Sequence, residues 1–473
     1  MQVKRFFEPS IAQTSYLIGC AAAGEAIVID PNRDVEQYLR AAAAENLAIT
    51  HVTETHIHAD FVSGGRELAQ RTGATLLLSD EGDADWKYRF ADEGRLIRDG
   101  DRIRIGNVTV EAVHTPGHTP EHLSFLITDG AAADQPIAAA TGDFIFVGDV
   151  GRPDLLEKAA KVMGTMEASA RTLYRSLERF KKRDDWLQIW PGHGAGSACG
   201  KGISAVPHST LGYERRFNWA FQAKDEADFV TGVLAGQPDP PTYFATMKRV
   251  NKEGPAILGG FAMPGRMDDH LLPDLLARGA LVVDTRPATE YAAGFVPGTI
   301  NIPLNASFVT WAGWLVRPED DLYLIFGEGA EIRLAEAARA LSLIGLDTVS
   351  GWVGSSAITR WAQHHAALGQ VRQVAPGEAA RLLDGAGARV IDVRTPVEWA
   401  EGHLPGATHI PLGYLPGRLD ELPRDQPLLM QCQAGARSAI AASLLERAGF
   451  TEVLNLTGGY EAWVGQGYAV SRE

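Results

Sequence analysis

The chain has 473 residues, too many for one hydrophobic core, and that length predicts about three domains. Its composition is that of a globular protein, 45% hydrophobic and 22% charged, and its net charge of −15 excludes phosphate-driven binding of nucleic acid. No apolar run reaches the ~20 residues of a spanning helix, and three scattered cysteines (Cys20, Cys199, Cys432) exclude a disulfide framework.

The first ten residues lack an apolar segment of signal-peptide length, which with the sparse thiols predicts a cytoplasmic protein and no membrane partner. Strand-like runs follow at 15–18, 26–30, 49–53, 108–113 and 123–127, with helical patterns at 35–45 and 158–182. Strands in two groups with helices outside predict an αββα sandwich. Gly and Pro crowd 232–264, which reads as a linker, with a shorter joint near 369–376.

An internal repeat fills the second half. LVVDTRPATEYAAGFVPGTINIPL (281–304) and RVIDVRTPVEWAEGHLPGATHIPL (389–412) align at a constant offset of 108 residues, pairing Asp284 with Asp392, Arg286 with Arg394 and Glu290 with Glu398. A repeat of that size is a duplicated domain. Each copy then has an apolar strand (322–326, 427–431) and an alanine-rich helix (334–343, 438–448), which predicts α/β domains with parallel sheets. The expected domains are 1–250, 262–366 and 371–473.

Two motifs carry chemistry. The first is T-H-I-H-A-D-F (Thr55 to Phe61), where His56, His58 and Asp60 alternate after a strand. His118 follows in H-T-P-G-H-T-P-E-H, Asp143 in T-G-D and His193 in P-G-H-G. Histidines and aspartates in turns after apolar strands point to a metal cleft. His51 and His114 read as neighbours, and His122 as a hydrogen-bonding partner of a ligand.

This order resembles the metallo-β-lactamase superfamily, whose hydrolases such as glyoxalase II show T-H-x-H-x-D-H and hold two metals. Phe61 stands where the last histidine belongs, and a phenyl ring has no lone pair to give, so one metal is expected. The closer resemblance is to persulfide dioxygenases, which implies one Fe(II) per chain held by His56, His118 and Asp143. Two imidazoles and one carboxylate suit ferrous iron with open positions for a sulfur anion and O2. His58, Asp60 and His193 would then orient ligands or water. In F-V-G-D-V-G-R-P-D, Arg152 reads either as a clamp for a substrate carboxylate or as a surface ion pair with Asp149 or Asp154. Cys199 sits near the same cleft and is a candidate to touch a persulfide, and Cys20 reads as core.

The second motif is C-Q-A-G-A-R-S, in which Cys432 ends a strand and Gln433, Ala434, Gly435, Ala436, Arg437 and Ser438 lead into a helix. Inward N–H groups and the helix N-terminus favour a thiolate or a persulfide anion on Cys432, and Arg437 would face sulfite or thiosulfate. The loop, with D-V-R-T-P-V-E-W, G-H-L-P-G-A and G-G-Y-E-A-W, resembles rhodanese. Aligning Arg333 with Arg437 puts Glu328 opposite Cys432 in the middle copy, which reads as a domain without sulfurtransferase activity, a scaffold or homodimer surface.

Together the parts resemble persulfide dioxygenase–rhodanese fusion proteins. The implied partners are a low-molecular-weight persulfide such as glutathione persulfide, O2, and sulfite or thiosulfate. The rival reading is a mononuclear zinc thioesterase of glyoxalase II type joined to a sulfurtransferase, and a third makes the chain a sulfur carrier whose N-terminal domain only binds a partner.

Overall fold

The computed structural model describes residues 1–158, 164–327, 329–385 and 387–472. The chain divides into two compact units, Met1–Gly260 with Ser342–Gly345, and Phe261–Leu341 with Leu346–Glu473.

In the first unit, β1 (Gln2–Glu8), β2 (Gln13–Cys20), β3 (Glu25–Ile29), β4 (Ala48–Thr53), β5 (Thr75–Ser79) and β6 (Arg95–Ile97) form one sheet in sequence order. The second sheet runs β7 (Arg102–Ile105), β8 (Val108–His114), β9 (Leu123–Asp129), β10 (Ala138–Gly142), β11 (Gln188–Pro191) and β12 (Ser209–Thr210). Alternation in β8 turns Val108, Val110 and Ala112 inward, where they meet Ile18, Ile27 and Ile29 of the first sheet. Helices Glu36–Ala44 and Gly65–Thr72 cover the outer face of the first sheet through Tyr38 and Leu68. Met166–Phe180 and Glu226–Leu234 cover that of the second through Leu173, Leu177 and Phe229. This is the αββα sandwich expected.

Strand polarity places the chemistry. β4, β10 and β11 deliver Thr55–Phe61, Asp143 and His193 from their C-terminal ends, and the β8–β9 connection carries His118. β10 and β11 are parallel with Gly142 opposite Pro191, which makes Asp143 and His193 neighbours. Gly142 has φ +47°, and a Cβ there would lie 2.5 Å from Thr55 Oγ1 and 2.8 Å from His122 Nε2. Only glycine fits that approach.

Two expectations change. The helix expected over 158–182 is Met166–Phe180, preceded by a short turn of helix at Leu155–Lys158, and residues 159–163 lie outside the described ones. The stretch read as a linker contains the helix Phe244–Glu253, whose Phe244, Met247 and Asn251 are buried. Their spacing is helical; the flanking Gly and Pro masked it.

In the second unit, β13 (Leu281–Asp284), β14 (Ile300–Asn301), β15 (Leu322–Ile325) and β16 (Gly351–Val353) form a parallel sheet in the order β14-β13-β15-β16. The later copy, with β17 (Arg372–Val374), β18 (Arg389–Asp392), β19 (Thr408–His409), β20 (Leu428–Gln431) and β21 (Val453–Leu456), is ordered β17-β21-β20-β18-β19 and is also parallel. The two copies share a buried ion pair at the end of their first conserved strand, Arg286–Asp284 at 2.6 Å and Arg394–Asp392 at 2.7 Å. They differ at one edge, where the counterpart of β17 shrinks to a single bridge between Arg266 and Trp352.

Candidate metal centre and thiol loop

The Thr55–Phe61 loop is braced from several directions. Asp30, at the end of β3 with φ 52°, accepts hydrogen bonds from Thr55 N at 2.6 Å and Thr55 Oγ1 at 2.9 Å. A carboxylate only accepts, so the threonine hydroxyl spends its proton there and takes a hydrogen bond from His56 Nδ1 at 2.9 Å. Ile57 N donates to Glu121 Oε1 at 2.8 Å, and Asn251 Nδ2 donates to the carbonyls of His58 at 2.8 Å and Phe61 at 2.7 Å. His118 Nδ1 donates to the Arg152 carbonyl at 2.9 Å. Both histidines therefore keep the Nε2 lone pair free.

One donor atom from each of His56, His118 and Asp143 lies within 4.8 Å of the others, and all three residues are buried. Burial, with the charge of His58 beside it, holds His56 well below the usual histidine range, and burial also lowers His118. Both are neutral donors. Burial alone would raise Asp143, but His193, His118 and His56 outweigh it and hold the carboxyl well below its ordinary value. Asp143 N donates to His122 Nε2 at 3.1 Å, so His122 steadies the backbone of this candidate ligand. Asp143 Oδ2 is buried without a hydrogen-bond partner, 3.6 Å from His118 Nε2. An orphaned buried carboxylate oxygen costs about 1–3 kcal/mol or more, and a cation is the partner this one fits. The donor set suits Fe(II) or Zn(II).

His58 turns away from this group. Its Nε2 lies 3.2 Å from both Asp30 Oδ1 and Glu54 Oε2, and although burial opposes charge, those two carboxylates raise it well above the ordinary histidine range. Phe61 is fully buried with its ring 4.4 Å from that of His58. His193 bridges two carboxylates, Nδ1 to Asp143 Oδ1 at 2.7 Å and Nε2 to Asp60 Oδ2 at 2.6 Å. Against the effect of burial, Asp143 and Asp60 push its pKa up to about 10. Cys199 is buried beside them, and burial followed by the same carboxylates pushes its thiol well up.

The carboxylate-clamp expectation for Arg152 is corrected. Its Nε and Nη2 each donate to Asp154 at 2.7 Å, and Nη1 donates to the Ala198 carbonyl at 3.0 Å. The fork is filled, and the ion pair is buried rather than at the surface.

The thiol loop is more local. Gly435, with φ +95°, directs its N–H to Cys432 Sγ at 3.1 Å, and Ser438 Oγ donates to the same sulfur at 3.4 Å. The helix Ala436–Arg447 begins beside it, adding the positive end of its dipole. Gln433 bridges Arg394 Nη1 at 3.4 Å and Glu461 at 3.2 Å. Gly459 (φ +56°) seats the loop from below, since a Cβ there would fall 2.1 Å from the Cys432 carbonyl. Arg437 makes a two-pronged pair with Glu398, at 2.7 and 2.5 Å, instead of standing free over the sulfur. Burial opposes it, but Arg437 and Thr395 bring Glu398 down to about 2.

Residues 11–193 match the metallo-beta-lactamase superfamily, and residues 269–356 and 375–466 each match the rhodanese-like domain. A metallo-beta-lactamase structure from Staphylococcus aureus is 42% identical, with a TM-score of 0.69, covering 75% of this chain and 99% of that one. The chain belongs to the metallo-beta-lactamase superfamily and carries tandem rhodanese-like domains. Among curated relatives, the superfamily part is similar to a hydroxyacylglutathione hydrolase of Rhodospirillum rubrum, 30% identical over 38% of this chain and 60% of that protein. It is also similar to the mitochondrial persulfide dioxygenase of Bos taurus, 28% identical over 40% of this chain and 67% of that one. The chain is also similar to a sulfurtransferase of Allochromatium vinosum, 39% identical over 19% of this chain and 84% of the relative.

In the middle rhodanese-like domain, Glu328 lies outside the described residues. Arg333, its aligned arginine, pairs with Glu336 at 2.9 Å and the Leu304 carbonyl at 2.7 Å. Sequence reasoning missed Asp30, Asn251 and the Glu398–Arg437 pair. A strand ending in Asp-Pro-Asn was the available signal for Asp30; nothing local marked the other two. Among the described residues, no helix is long and apolar enough to cross a membrane.

Proposed function

We propose that the chain is a bifunctional sulfur enzyme, a non-haem iron persulfide dioxygenase joined to a rhodanese-type sulfurtransferase. The observation that carries this reading is the His56–His118–Asp143 group, two neutral imidazoles and one carboxylate with an unpartnered oxygen, in a chain that also holds a cysteine cradle. Ferrous iron there would supply open positions for a sulfur anion and O2. The overall change is balanced: a persulfide, O2 and one water give sulfite, the free thiol and two protons.

The protein's own part is positioning. Thr55 and the Arg152 carbonyl fix which nitrogen each histidine presents, and His193, protonated between two carboxylates, keeps Asp143 ionised. At the second centre, the Cys432 thiolate takes the outer sulfur of a persulfide, breaking its S–S bond and releasing the carrier thiol, and passes that sulfur to sulfite, giving thiosulfate and regenerating the thiolate. The Gly435 N–H, Ser438 hydroxyl and helix N-terminus stabilise the anion at each stage. Arg437 meets the incoming anion by exchanging Glu398 for it. The middle rhodanese-like domain serves as scaffold or homodimer surface, and glutathione is the favoured carrier thiol.

The likeness to a hydroxyacylglutathione hydrolase favours a second reading, zinc-dependent thioester cleavage at the same three residues. Metal analysis of anaerobically isolated protein, combined with an oxygen electrode on glutathione persulfide, separates the two. Iron with persulfide-dependent oxygen uptake supports the first reading; zinc, thioester cleavage and no uptake overturn it.

A further inference from the structure

His58 is the histidine of the metal loop that the proposed chemistry does not use. It follows His56 by two residues and its ring lies 4.2 Å from that of His56, yet it stands outside the His56–His118–Asp143 group. Two carboxylates hold it elsewhere, since its Nε2 lies 3.2 Å from both Asp30 Oδ1 and Glu54 Oε2. Its Nδ1 is buried with no hydrogen-bond partner among the described residues, so one nitrogen alone fixes the ring.

The two carboxylates are not equivalent. Asp30 is shared, because both its oxygens also accept from Thr55. Glu54 Oε2 is buried, accepts no hydrogen bond among the described residues, and faces the His58 ring. The other Glu54 oxygen is pinned: Ser63 Oγ donates to Oε1, and Gly65 N donates to Ser63 Oγ at 2.9 Å. Gly65 also leaves it room, since a Cβ there would fall 2.1 Å from Glu54 Oε1.

We propose that Glu54 is a latch, a positioning residue that draws the His58 imidazole away from the first donor group and so keeps that group at two histidines and one carboxylate. The latch decides which metal the group prefers. Three protein donors leave the open positions that suit ferrous iron, whereas a further imidazole would complete a closed four-donor set of the kind zinc takes. The motif T-H-I-H reads the same whether His58 turns to a metal or to Glu54, so sequence alone does not show it. The inference rests on the three-donor reading of the first group.

The test is the visible spectrum of metal-depleted full-length protein loaded anaerobically with one equivalent of cobalt(II), whose bands strengthen as coordination falls to four. Glu54→Gln keeps the volume and removes the charge. It should intensify the bands several-fold and raise zinc affinity relative to iron(II) at least ~10-fold. Ser63→Ala, which loosens Glu54 without touching either histidine, should give a smaller change in the same direction. Adding His58→Gln to Glu54→Gln should return the bands to those of the unaltered chain. A spectrum unmoved by both Glu54→Gln and Ser63→Ala overturns the proposal, as does an intensified spectrum that persists once His58 is gone. Cobalt bands unchanged by His118→Ala would sink the three-donor group and the latch with it, so failure of that reading is told apart from failure of the latch alone.

Discussion

The metal group gathers donors from positions 56, 118 and 143 and braces them with Asp30, His122, the Arg152 carbonyl and Asn251, whereas the thiol loop is nearly complete within Cys432–Ser438. From elsewhere the loop needs chiefly the glycine turn at 458–459 and Glu398. A centre assembled from residues between Asp30 and Asn251 is exposed to substitutions far from its chemistry. A centre made by one strand–loop–helix step is exposed mainly to changes in that step.

The sharpest way to break the comparison is to disable each centre alone. Cys432→Ser should reduce thiosulfate-dependent sulfur transfer to background while sparing persulfide-dependent oxygen uptake; equal loss of both would contradict independent centres. His118→Ala should do the reverse, lowering metal affinity and oxygen uptake by more than the ~100-fold that losing an outer hydrogen-bond partner costs. Uptake left unchanged would show that His118 is not part of the reacting centre.

Remote bracing gives the next effect. Asp30→Asn touches none of His56, His118 and Asp143 but weakens acceptance from Thr55, and metal affinity should fall ~10–100-fold with sulfur transfer intact. Asn251→Ala strips hydrogen bonds from the His58 and Phe61 carbonyls and from Ser63 N. Chemical denaturation should show the first unit destabilised by roughly 1–3 kcal/mol.

The smallest effect lies in the thiol domain. Glu398 is depressed from 4.5 to about 2 in the folded chain, so its contribution is complete above pH 4.5 and lost as pH falls towards 2. Glu398→Gln keeps the helix cap made with Thr395 but removes the charge. Thermal unfolding of the variant should therefore lose less stability over that window; an unchanged acid limb would show the pair contributes nothing.

What could be read in the sequence follows the same division. The strand–loop–helix around Cys432 was legible because its donors are neighbours in the chain, and the αββα layering was legible because strand alternation and helix periodicity are local. The duplicated domain announced itself by its constant offset. His56, His118 and Asp143 were recognisable as separate motifs, but their meeting depends on strand polarity and on β10 lying parallel to β11.

The amino-acid order alone determined which side chains have lone pairs to give, the secondary structure that carries them, and the two kinds of chemistry on one chain. Only the tertiary structure decided that Asn251 of an apparent linker holds the metal loop, that Arg152 spends its fork on Asp154, and that Cys199 comes to rest beside Asp60 and His193. The reason is physical. Burial leaves each polar group to find a partner among whatever the packed core brings near, and that set is fixed by the folding of distant segments rather than by spacing along the chain.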